Sequence, residues 1–207
     1  DRVESVPKFP ETYTQTLAKG AAYKLELNPT DNTSAYYVQG YTPNQSEIAG
    51  TMPTGDVTVT VIYSPNTATK YTVRHFKKNI RQDAYTEATE DTQELSGTTN
   101  TMTKASALHY EGFTPESFEQ SNIDADGNAE VRVYYTRNLY DVVWDAVEGH
   151  YTGGAKTIKT QAEYGEHIAA PTDEALNNAG FTRDEDAHNQ YAFDKWLDAD
   201  NQEFTAI

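Results

Sequence analysis

The sequence predicts a strand-dominated α+β fold divided into several small modules, and three observations carry that expectation. Val57-Thr58-Val59-Thr60-Val61-Ile62-Tyr63 shows the two-residue alternation of a half-buried strand, and Tyr71–Phe76 and Glu130–Tyr135 read the same way. The chain also copies itself. Gly40-Tyr41-Thr42-Pro43 and Gly112-Phe113-Thr114-Pro115 lie 72 residues apart, as do the closing residues Tyr63 and Tyr135 and the upstream pairs Tyr13-Thr14 and Tyr85-Thr86. Three anchors at one ungapped offset make coincidence a poor explanation. Helix signals, by contrast, are few and short.

Taken in order along the chain, Asp1 falls on this register inside the first strand of its repeat. A strand over Val57–Tyr63 closes that repeat, and a junction near Asn66–Lys70 bounds a first module at 1–66. The second module, 67–138, opens with the strand Tyr71–Phe76, and a short helical turn is expected near Thr103–Leu108. Asp126-Gly127 reads as a turn, because glycine tolerates the positive φ that turns need, and it feeds the strand Glu130–Tyr135. A second junction near Thr136–Tyr140 leaves a third module, 139–207, of similar size but different type. It opens with the strand Tyr140–Asp145 and carries the best helix signal: Thr172 as N-cap, Asp173 and Glu174 in the first turn, and Gly180 past the end. Each module reads as several strands with at most one short helix. Neither junction is long or Gly/Ser-rich, so both should restrict motion more than a flexible coil does.

The composition narrows the functional classes. Lys and Arg total 16 against 32 Asp and Glu, a net charge of −16. Nucleic-acid binding needs a basic face, and so does adsorption to anionic lipid, so neither is expected. No cysteine is present, which excludes disulfides and thiolate metal sites. No run of about 18 apolar residues exists, so membrane insertion is not expected. Fifteen Tyr, seven Phe and two Trp suffice for small cores in a chain only 37% hydrophobic. Neither terminus carries a targeting or anchor pattern, and both are expected to be cuts through a larger protein.

The two repeats resemble the mucin-binding (MucBP) repeat family of Gram-positive surface proteins. That family opens with a Tyr-x-Val strand, as in Tyr71-Thr72-Val73, continues to a Gly-Tyr-x-x segment and ends in a Val-x-Val-x-Tyr strand. The second repeat covers the whole pattern, and the first lacks its opening residues. The third segment resembles the Listeria–Bacteroides repeat of internalin-like surface proteins. The residues that carry this are Val143, Trp144, Asp145, Gly153-Gly154, Tyr164-Gly165, Pro171, Gly180-Phe181, Phe193 and Trp196. It departs at Lys195, where a glycine is customary, and at Thr182–Tyr191, which reads as an insertion. Together the resemblances imply tandem small β-grasp, ubiquitin-like modules in an elongated array. They also imply a secreted, cell-wall-attached adhesin, with host glycans or glycoproteins such as mucin as partners.

No catalytic residues are expected. The histidines His75, His109, His150, His167 and His188 form no H-E-x-x-H pair, and neither a Gly-x-Ser-x-Gly elbow nor a phosphate-cradling glycine loop is present. The sharpest local motif is Asp124-Ala125-Asp126-Gly127-Asn128-Ala129-Glu130. Oxygens of Asp124, Asp126, Asn128 and Glu130 would suit a Ca²⁺, although Gly127 stands at the fourth place rather than the sixth of an EF-hand loop. The plainer reading is a polar turn, and no cofactor is otherwise expected. Lys70, Arg74, Lys77, Lys78 and Arg81 form one basic cluster followed by Glu87, Glu90, Asp91 and Glu94, which suits charge pairing between neighbouring strands. Tyr36, Tyr37, Tyr41, Tyr110 and Tyr151 are candidates for stacking on sugar rings, against the alternative that they fill small cores. Tyr63, Tyr135, Trp144 and Trp196 sit at pattern positions and are expected in the core.

Two functions follow. The first is a non-catalytic adhesin region that binds host glycans or glycoproteins, strengthened by multivalency across repeats and monomeric within a larger surface protein. The second is a rigid stalk that presents a distal domain. Sialylated or sulfated mucin would repel a chain of net charge −16, so glycan binding would need a local site of aromatics and hydrogen-bond donors.

Overall fold

The computed structural model of the chain describes residues 9–147, 149–183, 194–198, 200 and 202–204. Strands dominate it. In chain order they are β1 (Ala22–Glu26), β2 (Tyr41–Pro43), β3 (Glu47–Thr51), β4 (Tyr63–Pro65), β5 (Thr69–Lys78), β6 (Tyr85–Glu87), β7 (Gln93–Gly97), β8 (Phe113–Pro115), β9 (Ala129–Arg137), β10 (Leu139–Asp145) and β11 (Thr157–Glu163); one α-helix, α1 (Asp173–Asn178), follows. The chain divides into two compact units. The first holds the residues up to Phe76 with Glu87–Leu108 and Glu116–Tyr134; the second holds Lys77–Thr86, His109–Pro115 and the residues from Tyr135 on.

Strands β5 and β9 are the centre of a five-stranded sheet ordered β6-β5-β9-β8, with β7 also paired to β5. The alternation read from the sequence is the alternation seen. Thr69, Tyr71, Val73 and His75 of β5 are buried, and so are Ala129, Val131, Val133 and Tyr135 of β9. His75, expected to be partly buried, has no exposed surface. The charges of the sheet pair across strands as its sequence suggested: Arg74 meets Glu87 and Glu130, each at 2.9 Å, and Lys70 meets Glu94 at 3.4 Å. In the second unit β10 and β11 form an antiparallel hairpin. Ala146, Tyr151 and Leu176 make a small core there, joined by Ile158, Ala179, Phe181 and Trp196. Helix α1 starts where the capping residues put it: the Thr172 hydroxyl accepts from the Ala175 N–H at 3.2 Å, and Gly180 follows the helix at φ 65°.

Two local expectations need correction. Thr103–Leu108 is extended rather than helical. The Gln120 amide supplies the reason, because its Oε1 accepts from Thr103 Oγ1 and Ala105 N while its Nε2 donates to Ala105 O, so the backbone groups a helical turn would use are taken. Of Val57–Tyr63, only Tyr63 lies in a strand. In the second repeat the equivalent residues form β9 because β5 is there to pair with them. The counterpart of β5 at the 72-residue offset would end at residue 6, outside the described residues. The Thr182–Tyr191 insertion and Phe193 also fall largely or wholly outside them.

Candidate functional site

The residues that recur at the 72-residue offset, other than the core strands, converge on one device. Gly40 and Gly112 adopt φ 76° and 74°, a conformation that costs other residues roughly 1–2 kcal/mol. Each turn closes on the next residue: the Tyr41 N–H donates to Val38 O at 3.0 Å, and the Phe113 N–H to Tyr110 O at 3.1 Å. The chain then enters matching hairpins. Tyr41, Thr42 and Pro43 face Pro65, Ser64 and Tyr63, while Phe113, Thr114 and Pro115 face Arg137, Thr136 and Tyr135. An asparagine locks each hairpin back onto its glycine. Asn66 N–H donates to Gly40 O at 2.8 Å, and Asn138 N–H to Gly112 O at 2.9 Å. The Thr42 and Thr114 hydroxyls donate to the side-chain oxygens of Asn66 and Asn138 at 2.6 and 2.7 Å.

Both hairpins then receive residues from the segment that follows. Asn66 O accepts from the Thr99 N–H and Asn138 O from the Tyr164 N–H, each at 2.9 Å. The glycines face the same neighbours. A Cβ on Gly40 would stand 2.7 Å from Ala125 Cβ and 3.0 Å from Thr99 Cγ2, and one on Gly112 would overlap the Tyr164 ring. The absence of a side chain is therefore needed twice, for the turn and for the close approach. The two joints lie in different compact units, the first in unit one and the second in unit two.

The second joint has additional fastenings. Arg137 donates from Nε to Lys78 O at 2.7 Å and from a terminal nitrogen to Tyr164 O at 2.6 Å, with its guanidinium 4.8 Å from the Phe113 ring centre. Phe113 meets Tyr164 edge-on at 5.9 Å. Arg81 takes φ 51°, and both its backbone and its side chain engage the 161–166 stretch: N–H to Glu163 Oε2 and a guanidinium nitrogen to Gln161 O, each at 2.6 Å, and Nε to both Glu166 oxygens at 2.8 and 3.0 Å. The hydrogen bond from Arg81, with the Glu163 N–H, holds the Glu166 carboxyl below the usual carboxylate range, and Glu166 in turn raises the Arg81 pKa.

The other site residues read from sequence are dispersed. In the 124–130 loop, Asp126 folds back onto Asn128, accepting from its N–H at 3.0 Å and its side-chain amide at 3.1 Å. Glu130 is held by Arg132 at 2.6 Å and Arg74 at 2.9 Å. Asp124 O accepts from the Gly127 N–H at 3.0 Å, which is the polar turn. Among the described residues no three His, Asp or Glu side chains gather as a metal would require. Of the tyrosines, Tyr151 is 2% exposed and its hydroxyl donates to Trp144 O, so it is a core residue, its pKa raised by burial, and it offers no face to a sugar. Tyr110 packs edge-on against Tyr135 and carries the Lys77 ammonium 3.7 Å above its ring. Tyr41 meets Phe9 edge-on at 5.4 Å, and Tyr36 O accepts from the Tyr63 hydroxyl at 2.7 Å. Tyr36, Tyr37 and Tyr41 are half-buried in unit one, while Tyr110 and Tyr151 belong to unit two. Tyr135 and Trp144 are in the core as expected.

Comparison with family models, with curated proteins and with solved structures finds no match. The asparagines at the joints went unread in the sequence, as did the roles of Arg81 and Arg137. A signal for the asparagines was present: Gly40/Gly112, Thr42/Thr114 and Asn66/Asn138 are identities at the repeat offset that bury no apolar surface. The arginines have no such signal, because the residues 72 earlier are Phe9 and Pro65.

Proposed function

We propose that this chain is a structural stalk: a non-catalytic run of tandem small modules of the β-grasp kind that spaces a distal domain of a secreted bacterial surface adhesin. The observation that carries the reading is the repeated Gly–Thr–Asn joint, in which the closing hairpin of one repeat accepts the backbone of the following segment at both 72-residue positions. A chain selected only to bind has no need for identical polar joints, whereas a spacer transmits position through them. The sequence resemblances to surface-protein repeats supply the extracellular setting.

Glycan binding is the second reading. The feature that favours it is an open groove in unit two walled by Trp144, Phe181, Trp196 and Phe204, with Asp145 and Asp173 at its margin. Aromatic faces beside hydrogen-bonding groups are what sugar recognition uses. Titration over immobilised mucin, with deglycosylated mucin as control, separates the two. The stalk reading expects no saturable binding, together with a scattering envelope that loosens when Gly112→Val disrupts the second joint. Saturable binding lost on deglycosylation would overturn it in favour of the adhesive reading.

A further inference from the structure

The two repeats differ in one respect that points to a binding surface. In the second repeat, β5 lies among β6, β7 and β9. At the 72-residue offset those three neighbours map onto Tyr13–Gln15, Ala21–Leu25 and Val57–Pro65. Residues of all three stretches line a single open groove of about 560 Å³ in unit one: Tyr13 and Gln15 from the first, Tyr23 and Leu25 from the second, Val57 through Val61 and Tyr63 from the third. The groove thus has the walls of the β5 position.

The exposures agree. Ala129 and Val131, which face β5, are 0% and 2% exposed, while their counterparts Val57 and Val59 are 41% and 43% exposed. The pairing agrees as well. β7 pairs with β5, with Tyr71 opposite Leu95 and Thr69 opposite Gly97, whereas its counterpart β1 pairs with β3. Val57–Ile62 keeps its strand alternation in sequence but has no ladder. A stretch of alternating valines half exposed beside two tyrosine-bearing segments is a template for strand addition, where main-chain hydrogen bonds give affinity and alternate side chains fill the wall.

We propose that this groove is an acceptor slot for an added β-strand, and that its occupant is an extended peptide of the Thr69–Lys78 pattern. Such a peptide carries a β-branched, aromatic or imidazole side chain at every second position, as in Thr69, Tyr71, Val73 and His75, with basic residues among the rest. Lys70, Arg74, Lys77 and Lys78 give the pattern a positive charge and no negative one, which suits a chain of net charge −16. By the register of β5 on β7, the Tyr71 position of the incoming strand lies opposite Tyr23 and the Thr69 position opposite Leu25.

The test uses the whole chain and a synthetic peptide of sequence TKYTVRHFKK, read by fluorescence titration and by hydrogen exchange. Saturable binding with new protection of amides at 57–61 and 22–25 is expected. Replacing the tyrosine and valine of the peptide by aspartate should weaken binding by roughly tenfold or more. Val59→Asp in the chain should do the same and leave the melting temperature unchanged, since Val59 is exposed in the free chain. Three results overturn the proposal: no protection at 57–61 at saturating peptide, equal binding of a scrambled peptide, or a groove already closed by a second copy of the chain in solution.

Discussion

The Thr114 hydroxyl donates to Asn138 Oδ1 at 2.7 Å, and 72 residues earlier the Thr42 hydroxyl makes the same bond to Asn66 at 2.6 Å. An exposed hydroxyl–amide bond contributes little by itself. Its repetition, with the backbone bond from each asparagine to its glycine, marks the hairpin as a conserved piece of internal geometry rather than a chance contact. Asn138→Ala should therefore cost only about 0.5–1.5 kcal/mol in a denaturant melt, because the backbone bond to Gly112 survives.

Gly112→Ala should cost more, roughly 2–4 kcal/mol, since it adds left-handed strain to an overlap with the Tyr164 ring. Gly20→Ala is the matched control. Gly20 has φ 79° but nothing within 4 Å of an added Cβ, so only the strain, about 1–2 kcal/mol, applies. Equal losses at the two sites would remove Tyr164 from the argument.

The Arg81–Glu166 pair should make the second joint acid-sensitive. The folded-state pKa of Glu166 is depressed, so its contribution is present above the unfolded value and is lost as pH falls through the folded one. Melting curves of the wild type and Glu166→Gln should be separated at neutral pH and converge on acidification. A gap that widens as pH falls would reverse the sign and contradict the geometry.

Equivalent valines should respond unequally. Val131→Ala removes buried surface and is expected to cost about 1–3 kcal/mol, while Val59→Ala, at the same place in the first repeat, should stay within about 0.5 kcal/mol. Urea melts of the two variants measure the difference.

Thr172→Ala removes the hydroxyl that accepts from the Ala175 N–H. A loss of about 0.5–2 kcal/mol is expected, read most directly as faster amide exchange over Asp173–Asn178.

Most strands were legible because alternation is local: β5, β9 and β10 run to within two residues of the segments expected. Thr172, Asp173 and Gly180 marked α1 for the same reason. What failed depends on distant partners. Val57–Ile62 has the pattern of a strand but no neighbour to make it one, and Thr103–Leu108 loses its helical turn to the side chain of Gln120. Tyr151 could not be told from a surface tyrosine, since its burial comes from Ala146 and Leu176 closing around it. Arg81 reaches Glu166 across 85 residues, a pairing no periodicity announces.

The division of the chain into compact units has a practical consequence for anyone cutting it. The period of duplication is 72 residues, yet Lys77–Thr86 and His109–Pro115 of the second copy group with the residues from Tyr135 on. Duplication and cohesion are out of phase. A fragment excised at the boundaries of the copied sequence, 67–138, would sever Asn66 from Thr99 at one end and Arg81 from Glu166 at the other. Such a fragment would leave Asn138 O and the Arg81 guanidinium facing water. The natural scissors for this molecule are set by hydrogen bonds rather than by homology between its halves, and a neighbour must travel with each repeat for it to be studied whole.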